Sequence, residues 1–319
     1  MTLKWQALLL VILILTSLTL TRLGGSVGPG EIALSQISEA SSNKTIPNLF
    51  SFQRAVLTGN FEPVQKIPTR RWDVQDPQIS AYAVLVQSLD DSIPLYYNNT
   101  HEPWTLASLT KLLTAVTIIE EIGINKKIPI SKEAIATEGI AGNLSSGEVY
   151  TARDLLKIML LTSSNDAAAA FEEYLGGKTA LARKLTKKAF SIGMLETVIE
   201  DGSGLDDSNK GTTSDFLKLT TYIIKQHPEI FVWTRTAEFL VQPINDTNAH
   251  TVYNINTLVE RRDFLGGKTG TSSKARQNIV SVFNVENHRI AVILFGSWNR
   301  IQDVETLLSW VQEAYVFSN

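Results

Sequence analysis

The stretch TLASLTKLLTA, Thr105 to Ala115, decides how the rest of the chain is read. From it, Leu109, Leu112, Leu113, Val116 and Ile119 recur at helical spacing, so a helix is expected over 106–122. Ser108 stands one turn ahead of Lys111, and residues at i and i+3 project from one helix face. A serine hydroxyl becomes a nucleophile when a base takes its proton. A lysine whose ammonium is discouraged by burial or by other cations can be that base. Alone, the pattern is weak. A serine at a helix start is ordinarily a cap, and Ser41 and Lys44 repeat the spacing upstream.

Outward from this helix, the chain reads as alternating strand and helix segments. AYAVLVQS, Ala81 to Ser88, has strand alternation; Asp90-Asp91-Ser92 turns it and Ile93 to Tyr97 returns. Helical segments follow at Thr151, whose partner Asp154 makes a capping pair, and at NDAAAAFEEYL, KTALARKLTKKAF and Thr213 to Lys225. Two strands come late, Gln277 to Val285 and His288 to Ser297, then a helix from Val304 to Val316. Strands at both ends with helices between predict an α/β chain of the α+β type. One antiparallel sheet is assembled from the two ends, with helices packed on it.

Two further patterns carry chemistry. Ser163 and Asn165 sit at a helix junction, where a hydroxyl and an amide can relay a proton and hold an amide substrate. In FLGGKTGTSSKA, Lys268, Thr269, Gly270 and Thr271 are placed on a strand edge. An ammonium and a hydroxyl there can bind a carboxylate, and glycine lets a substrate backbone come close. A phosphate loop is excluded, because its first glycine falls on Arg262.

The three patterns occur in the order S-x-x-K, S-x-N, K-T-G. With GNLSSGEVYTARDLLKIMLLTSSNDAAAA and DGSGLDDSNKGTTSDFLKLT between them, the chain resembles the serine D-Ala-D-Ala carboxypeptidases over about Ile79 to Phe317. These are the low-molecular-mass penicillin-binding proteins of peptidase family S11, with a β-lactamase/transpeptidase-like fold. The resemblance implies Ser108 as the acylated nucleophile, Lys111 as its base and Ser163 as proton relay. It implies Asn165 on the substrate amide, and Lys268 and Thr269 on the terminal carboxylate. The N–H groups of Ser108 and Thr271 would form the oxyanion hole. The implied substrate is the peptidoglycan stem peptide, with β-lactams as covalent inhibitors and no cofactor or metal. Arg276 departs from the family, which usually has Gly there. The C-terminal β-domain and anchor of many members are not expected after the last helix.

Composition agrees with such an enzyme. The chain of 319 residues is 44% hydrophobic, carries a formal charge of −3 and has no cysteine. That excludes thiol catalysis and Cys-zinc sites, and gives no basic excess for nucleic acid. His101-Glu102 fails as a zinc motif because its fifth position is Thr105. Seventeen uncharged residues, Trp5 to Thr21, follow Lys4 and lack a good cleavage site. Residues 1–23 are therefore expected to anchor the protein in the cytoplasmic membrane with its remainder outside, or to be a signal peptide whose cleavage leaves it secreted, 24–78 to be a linker, and 79–319 to be the catalytic domain. Removal of terminal D-Ala is the expected reaction, with endopeptidase action on cross-links as the alternative. A β-lactamase is disfavoured, since no Glu-x-x-x-Asn occurs between Asp166 and Gly267. A non-catalytic wall-binding protein is the remaining alternative.

Overall fold

The computed structural model describes residues 67–139 and 141–317. The apolar run Trp5 to Thr21 and most of the linker expected at 24–78 lie outside them. Among the described residues, no helix is long and apolar enough to cross a membrane.

In chain order the strands are β1 (Thr69–Arg70), β2 (Ala83–Ser88), β3 (Pro94–Asn98), β4 (Trp104–Thr105), β5 (Lys127–Pro129), β6 (Val149–Thr151) and β7 (Lys210–Gly211). They continue as β8 (Glu238–Val241), β9 (His250–Tyr253), β10 (Phe264–Ser272), β11 (Arg276–Val285), β12 (His288–Ser297) and β13 (Tyr315–Val316). The helices are α1 (Thr110–Ile122), α2 (Lys132–Ile135), α3 (Ala152–Leu161), α4 (Asn165–Tyr174), α5 (Lys178–Ser191), α6 (Thr213–Gln226), α7 (Glu229–Thr234) and α8 (Arg300–Ala314).

The main sheet is five-stranded and antiparallel, in the order β10-β11-β12-β2-β3. Its strands come from the two ends of the domain, as the sequence predicts. The central strands are apolar at nearly every position because both faces are covered. Alternation then sorts the side chains between two cores. Ala83, Leu85, Val280, Val282, Ile293 and Phe295 face the helical side. Val84, Val86, Ile279, Phe283, Val292 and Leu294 face α8. Each such Val, Leu, Ile or Phe side chain contributes roughly 1.5–3 kcal/mol on burial. A register slip of one residue would exchange the two cores, so the pairing is tightly specified.

Helix starts follow their caps. The Thr151 side chain accepts from Asp154 N and that of Thr212 from Asp215 N. The last helix begins earlier than Val304, because Asn299 caps it by accepting from Gln302 N at 3.2 Å. It stops at Ala314 rather than Val316, since Tyr315 and Val316 pair with Arg70 and Thr69 instead. The folded unit therefore reaches upstream of the expected boundary at residue 79. Arg70 lies between Trp72 and Trp310, and Trp310 Nε1 donates to Gln75 O at 2.8 Å. No periodic pattern announces these contacts, because they are made by single side chains.

Candidate active site

Ser108 sits on a single 3₁₀ turn, Ala107–Leu109, that leads into α1. The helix does not extend back smoothly to 106, because Ala107 has φ 48°. A left-handed alanine costs roughly 1–2 kcal/mol, so the surroundings must hold it there. Two distant glycines do so. A Cβ on Gly204 would lie 1.9 Å from Ala107 O, and one on Gly270 would lie 2.8 Å from Leu106 O and 3.2 Å from Ser108 N. Only residues without side chains let the two loops close on the serine turn. Asn278 completes the clamp by donating to Thr105 O at 2.8 Å and Leu106 O at 3.1 Å.

Lys111 is fully buried, with 0% exposure. Its Nζ lies 2.7 Å from Asn165 Oδ1, 2.6 Å from Ser203 O and 3.1 Å from Ser108 Oγ. The first two partners are pure acceptors, and Asn165 Nδ2 donating to Glu138 O at 2.8 Å fixes the amide orientation. A neutral amine has two hydrogens for those oxygens and one lone pair left for the Ser108 hydroxyl. Burial pushes the Lys111 ammonium down to about 7, against a smaller upward pull from Asp201 and Glu172. The amine is thus a base at neutral pH, aimed at the one hydroxyl beside it.

The S-x-N motif divides its labour. Ser164 caps α4, its Oγ accepting from Ala167 N at 3.1 Å, which leaves Ser163 and Asn165 free of that duty. Ser163 takes φ 61° at the junction. Its Oγ accepts from Lys268 Nζ at 3.0 Å, so the second and third motifs meet here.

Lys268, Thr269, Gly270 and Thr271 lie on β10, which pairs only with β11 in the five-stranded sheet and leaves its other edge to the site. Lys268 is 2% exposed and also donates to Thr269 O at 2.8 Å. Burial, followed by repulsion from Lys111 and Arg300, holds its ammonium well below the usual lysine range. An arriving carboxylate would reverse that shift and be bound strongly, because the hydrogen-bond partners of the cation among the described residues are the neutral oxygens of Ser163 and Thr269. Every residue of the three motifs is therefore brought into one site.

Several residues there were not singled out from the sequence. Ser203 supplies the carbonyl that holds Lys111. Its loop is built on Asp201, which accepts from Ser203 N at 2.7 Å, Ser203 Oγ at 2.9 Å, Gly204 N at 2.5 Å and Asp206 N at 2.6 Å. The block DGSGLD carried the family resemblance, and its Asp-Gly-Ser-Gly turn signal could have pointed to it. Arg300 donates to Gly270 O at 3.1 Å and Thr271 Oγ1 at 2.6 Å. Nothing in its sequence context marks it.

Comparison with known proteins agrees with this geometry. The model of the S11 peptidase family, described as D-alanyl-D-alanine carboxypeptidase, matches residues 71–299. The chain belongs to this family. It is a serine hydrolase of that type, and the membership bears out the expected resemblance. A D-alanyl-D-alanine endopeptidase of Pseudomonas aeruginosa is 25% identical over 247 residues, 75% of this chain and 79% of that protein. The D-alanyl-D-alanine carboxypeptidase DacF of Bacillus subtilis is 27% identical over 222 residues, 67% of this chain and 57% of that protein. In fold, the crystal structure of a Mycobacterium tuberculosis D-alanyl-D-alanine carboxypeptidase superposes with a TM-score of 0.71 at 24% identity, covering 79% of this chain and 99% of that one.

Proposed function

We propose that this S11 peptidase removes the terminal D-alanine from peptidoglycan stem peptides through an acyl-enzyme on Ser108. The observation that carries the reading is the buried Lys111 amine, 3.1 Å from Ser108 Oγ and titrating at about 7. Ser108 Oγ attacks the carbonyl carbon of the penultimate residue while its proton passes to Lys111 Nζ. The oxyanion forms against the N–H groups of Ser108 and Thr271. Collapse breaks the C–N bond, and the leaving amine takes a proton through the Ser163 hydroxyl. Asn165 holds the substrate amide, and Lys268 and Thr269 bind the terminal carboxylate. Water then attacks the Ser108 ester and releases the shortened peptide. β-Lactams enter the same sequence and remain as stable esters.

Cleavage of existing cross-links is the second reading. It is supported by the Pseudomonas aeruginosa relative, which is named an endopeptidase and is 25% identical over 75% of this chain. Both reactions use one acylation step and differ in the amine that leaves. Peptidoglycan lies outside the cytoplasmic membrane, and the uncharged run Trp5 to Thr21 behind Lys4 supports export and anchoring there. Carbonate washing of membranes tests the anchor: release of the chain with a new N-terminus near Gly25 would refute it.

The deciding experiment incubates the full chain with a stem pentapeptide and with purified cross-linked dimers. Release of D-alanine from the first is the expected result. Cleavage of dimers alone would establish the endopeptidase reading. Ser108→Ala should abolish the penicillin adduct seen by mass spectrometry, and an adduct that persists would place the nucleophile elsewhere.

A further inference from the structure

Arg276 opens β11 directly after the three-residue turn from β10 and pairs with Ser272. Its φ is 54°, in the left-handed region. Hairpins with such turns ordinarily place glycine at this point, so an arginine is retained there at a conformational cost. Its guanidinium lies 4.0 Å from the ring centre of Trp298 and 5.8 Å from that of Trp104. Trp104 stacks in turn on Tyr82, with centroids 4.6 Å apart, and donates from Nε1 to Ala275 O at 2.9 Å. Four side chains thus form a continuous stack across one end of the sheet.

Trp298 is the outermost member and is 66% exposed. One indole face carries the Arg276 guanidinium, and the ring is otherwise open. Its backbone is rigidly held, with Trp298 N donating to Ser80 Oγ at 3.0 Å. Asp303 secures Ser80 by accepting from its N at 2.9 Å and its Oγ at 2.8 Å. This is an anchored aromatic surface rather than a loop tip.

Its position relative to the substrate strand gives it a ligand. A peptide that adds antiparallel to the open edge of β10, with its carboxylate at Lys268, runs its earlier residues past Thr271 and Ser272 towards the β10–β11 turn. Thr271 pairs with Gln277, which pairs with Ser297, so Trp298 lies at the same end of the sheet as this stretch of β10, two strands in, with Arg300 reaching back to Thr271. The end of the stem peptide attached to the glycan therefore leaves the site at the end of the sheet that carries the stack. We propose that the Trp298–Arg276 stack is a binding site for an N-acetylated amino-sugar ring of the glycan strand. The inference rests on the stem-peptide reading above. A pyranose presents an apolar C–H face of about the size of the indole, and its hydroxyl and acetyl oxygens accept hydrogen bonds. The guanidinium makes one long bond, 3.4 Å to Gly296 O, and has further N–H groups for such acceptors.

Two measurements on the full chain test this. The first is the ratio of kcat/KM on a disaccharide-linked pentapeptide to that on the free pentapeptide. The second is saturation-transfer NMR with the peptide-free disaccharide on enzyme already acylated by penicillin. The wild type should favour the sugar-linked substrate by roughly tenfold, the scale of one aromatic stacking contact, and should transfer saturation to the disaccharide. Trp298→Ala should bring the ratio near unity and remove the transfer. Arg276→Gly, which suits the backbone, should lower the ratio while the melting temperature holds or rises. A wild-type ratio near unity without transfer, or a Trp298→Ala variant that keeps both, would overturn the site. Failure to hydrolyse either peptide, with disaccharide transfer that Trp298→Ala abolishes, would overturn the proposed reaction and leave the site standing.

Discussion

Lys111 and Lys268 are both buried, at 0% and 2% exposure, and both are pushed below the usual lysine range by that burial. They lie in different regions and face different neighbours. Lys111, on the helical side, is set among carbonyl-type oxygens, with Asp201 and Glu172 near enough to raise it somewhat. Lys268, on the sheet edge, has a hydroxyl and its neighbour's carbonyl as partners and is pushed down further by Lys111 and Arg300. The first arrangement suits a proton acceptor, since the neutral amine satisfies its surroundings. The second suits an anion receptor, since a carboxylate is the group missing from it. Two identical side chains thus acquire opposite duties from their neighbours alone.

The sharpest way to break that distinction is to remove the base. Lys111→Ala should slow acylation of Ser108 by penicillin by roughly ten-thousand-fold, because nucleophile and base act as a unit. Stopped-flow acylation measures this, and a loss below tenfold would mean another group takes the proton. Lys268→Ala should lower kcat/KM on the order of 100-fold for peptides ending in a free carboxylate. Amidated peptides should lose far less. Equal losses on both would remove the receptor role.

The pH profile sharpens the same contrast. Lys111 acts as a base only when neutral, so acylation should fall as pH drops through about 7. Glu172 raises Lys111 and accepts from Gly202 N at 2.8 Å. Glu172→Gln keeps an acceptor for that bond and removes the charge, so the acid limb should move to lower pH. A limb that stays in place would assign it to another group.

The smallest effect expected is on stability. The fold holds Lys111 at about 7, against the ordinary lysine value of 10.5 in the unfolded chain. Between those values the unfolded state binds the extra proton, so this residue makes stability rise with pH across that window. Below it, both states are protonated and the full cost of the buried cation remains. Lys111→Met should therefore raise the melting temperature at pH 7 and flatten its pH dependence. A lower melting temperature at pH 7 would show that the hydrogen bonds to Asn165 and Ser203 outweigh desolvation.

The strands at Ala81 to Ser88, Gln277 to Val285 and His288 to Ser297 were legible in the sequence, but their burial on both faces, which makes the central ones apolar at nearly every position as in Ile290 to Phe295, came from the structure. The catalytic trio was legible as well. Ser108 and Lys111 are joined by helical spacing, and the remaining motifs keep a fixed order. Ser203, Arg300 and Asn278 were not, since each acts through a carbonyl, a guanidinium or an amide that only folding brings to the site. Tyr315 and Val316 were read as helix because local pattern continues through them, while their strand partner lies at Thr69 and Arg70.

The sequence by itself determined one antiparallel sheet built from the two ends of the domain, the helix cap at Thr151, and the identity of the reacting groups. These are local properties: side-chain period, capping geometry and functional-group chemistry. Tertiary structure alone decided that Ala107 adopts a left-handed backbone under Gly204 and Gly270, and that two lysines are stripped of water. It also decided that Lys111 titrates at about 7. The physical reason is desolvation. The free energy of a charge depends on what surrounds it, and those surroundings come from residues as far apart in the chain as Ser108 and Lys268.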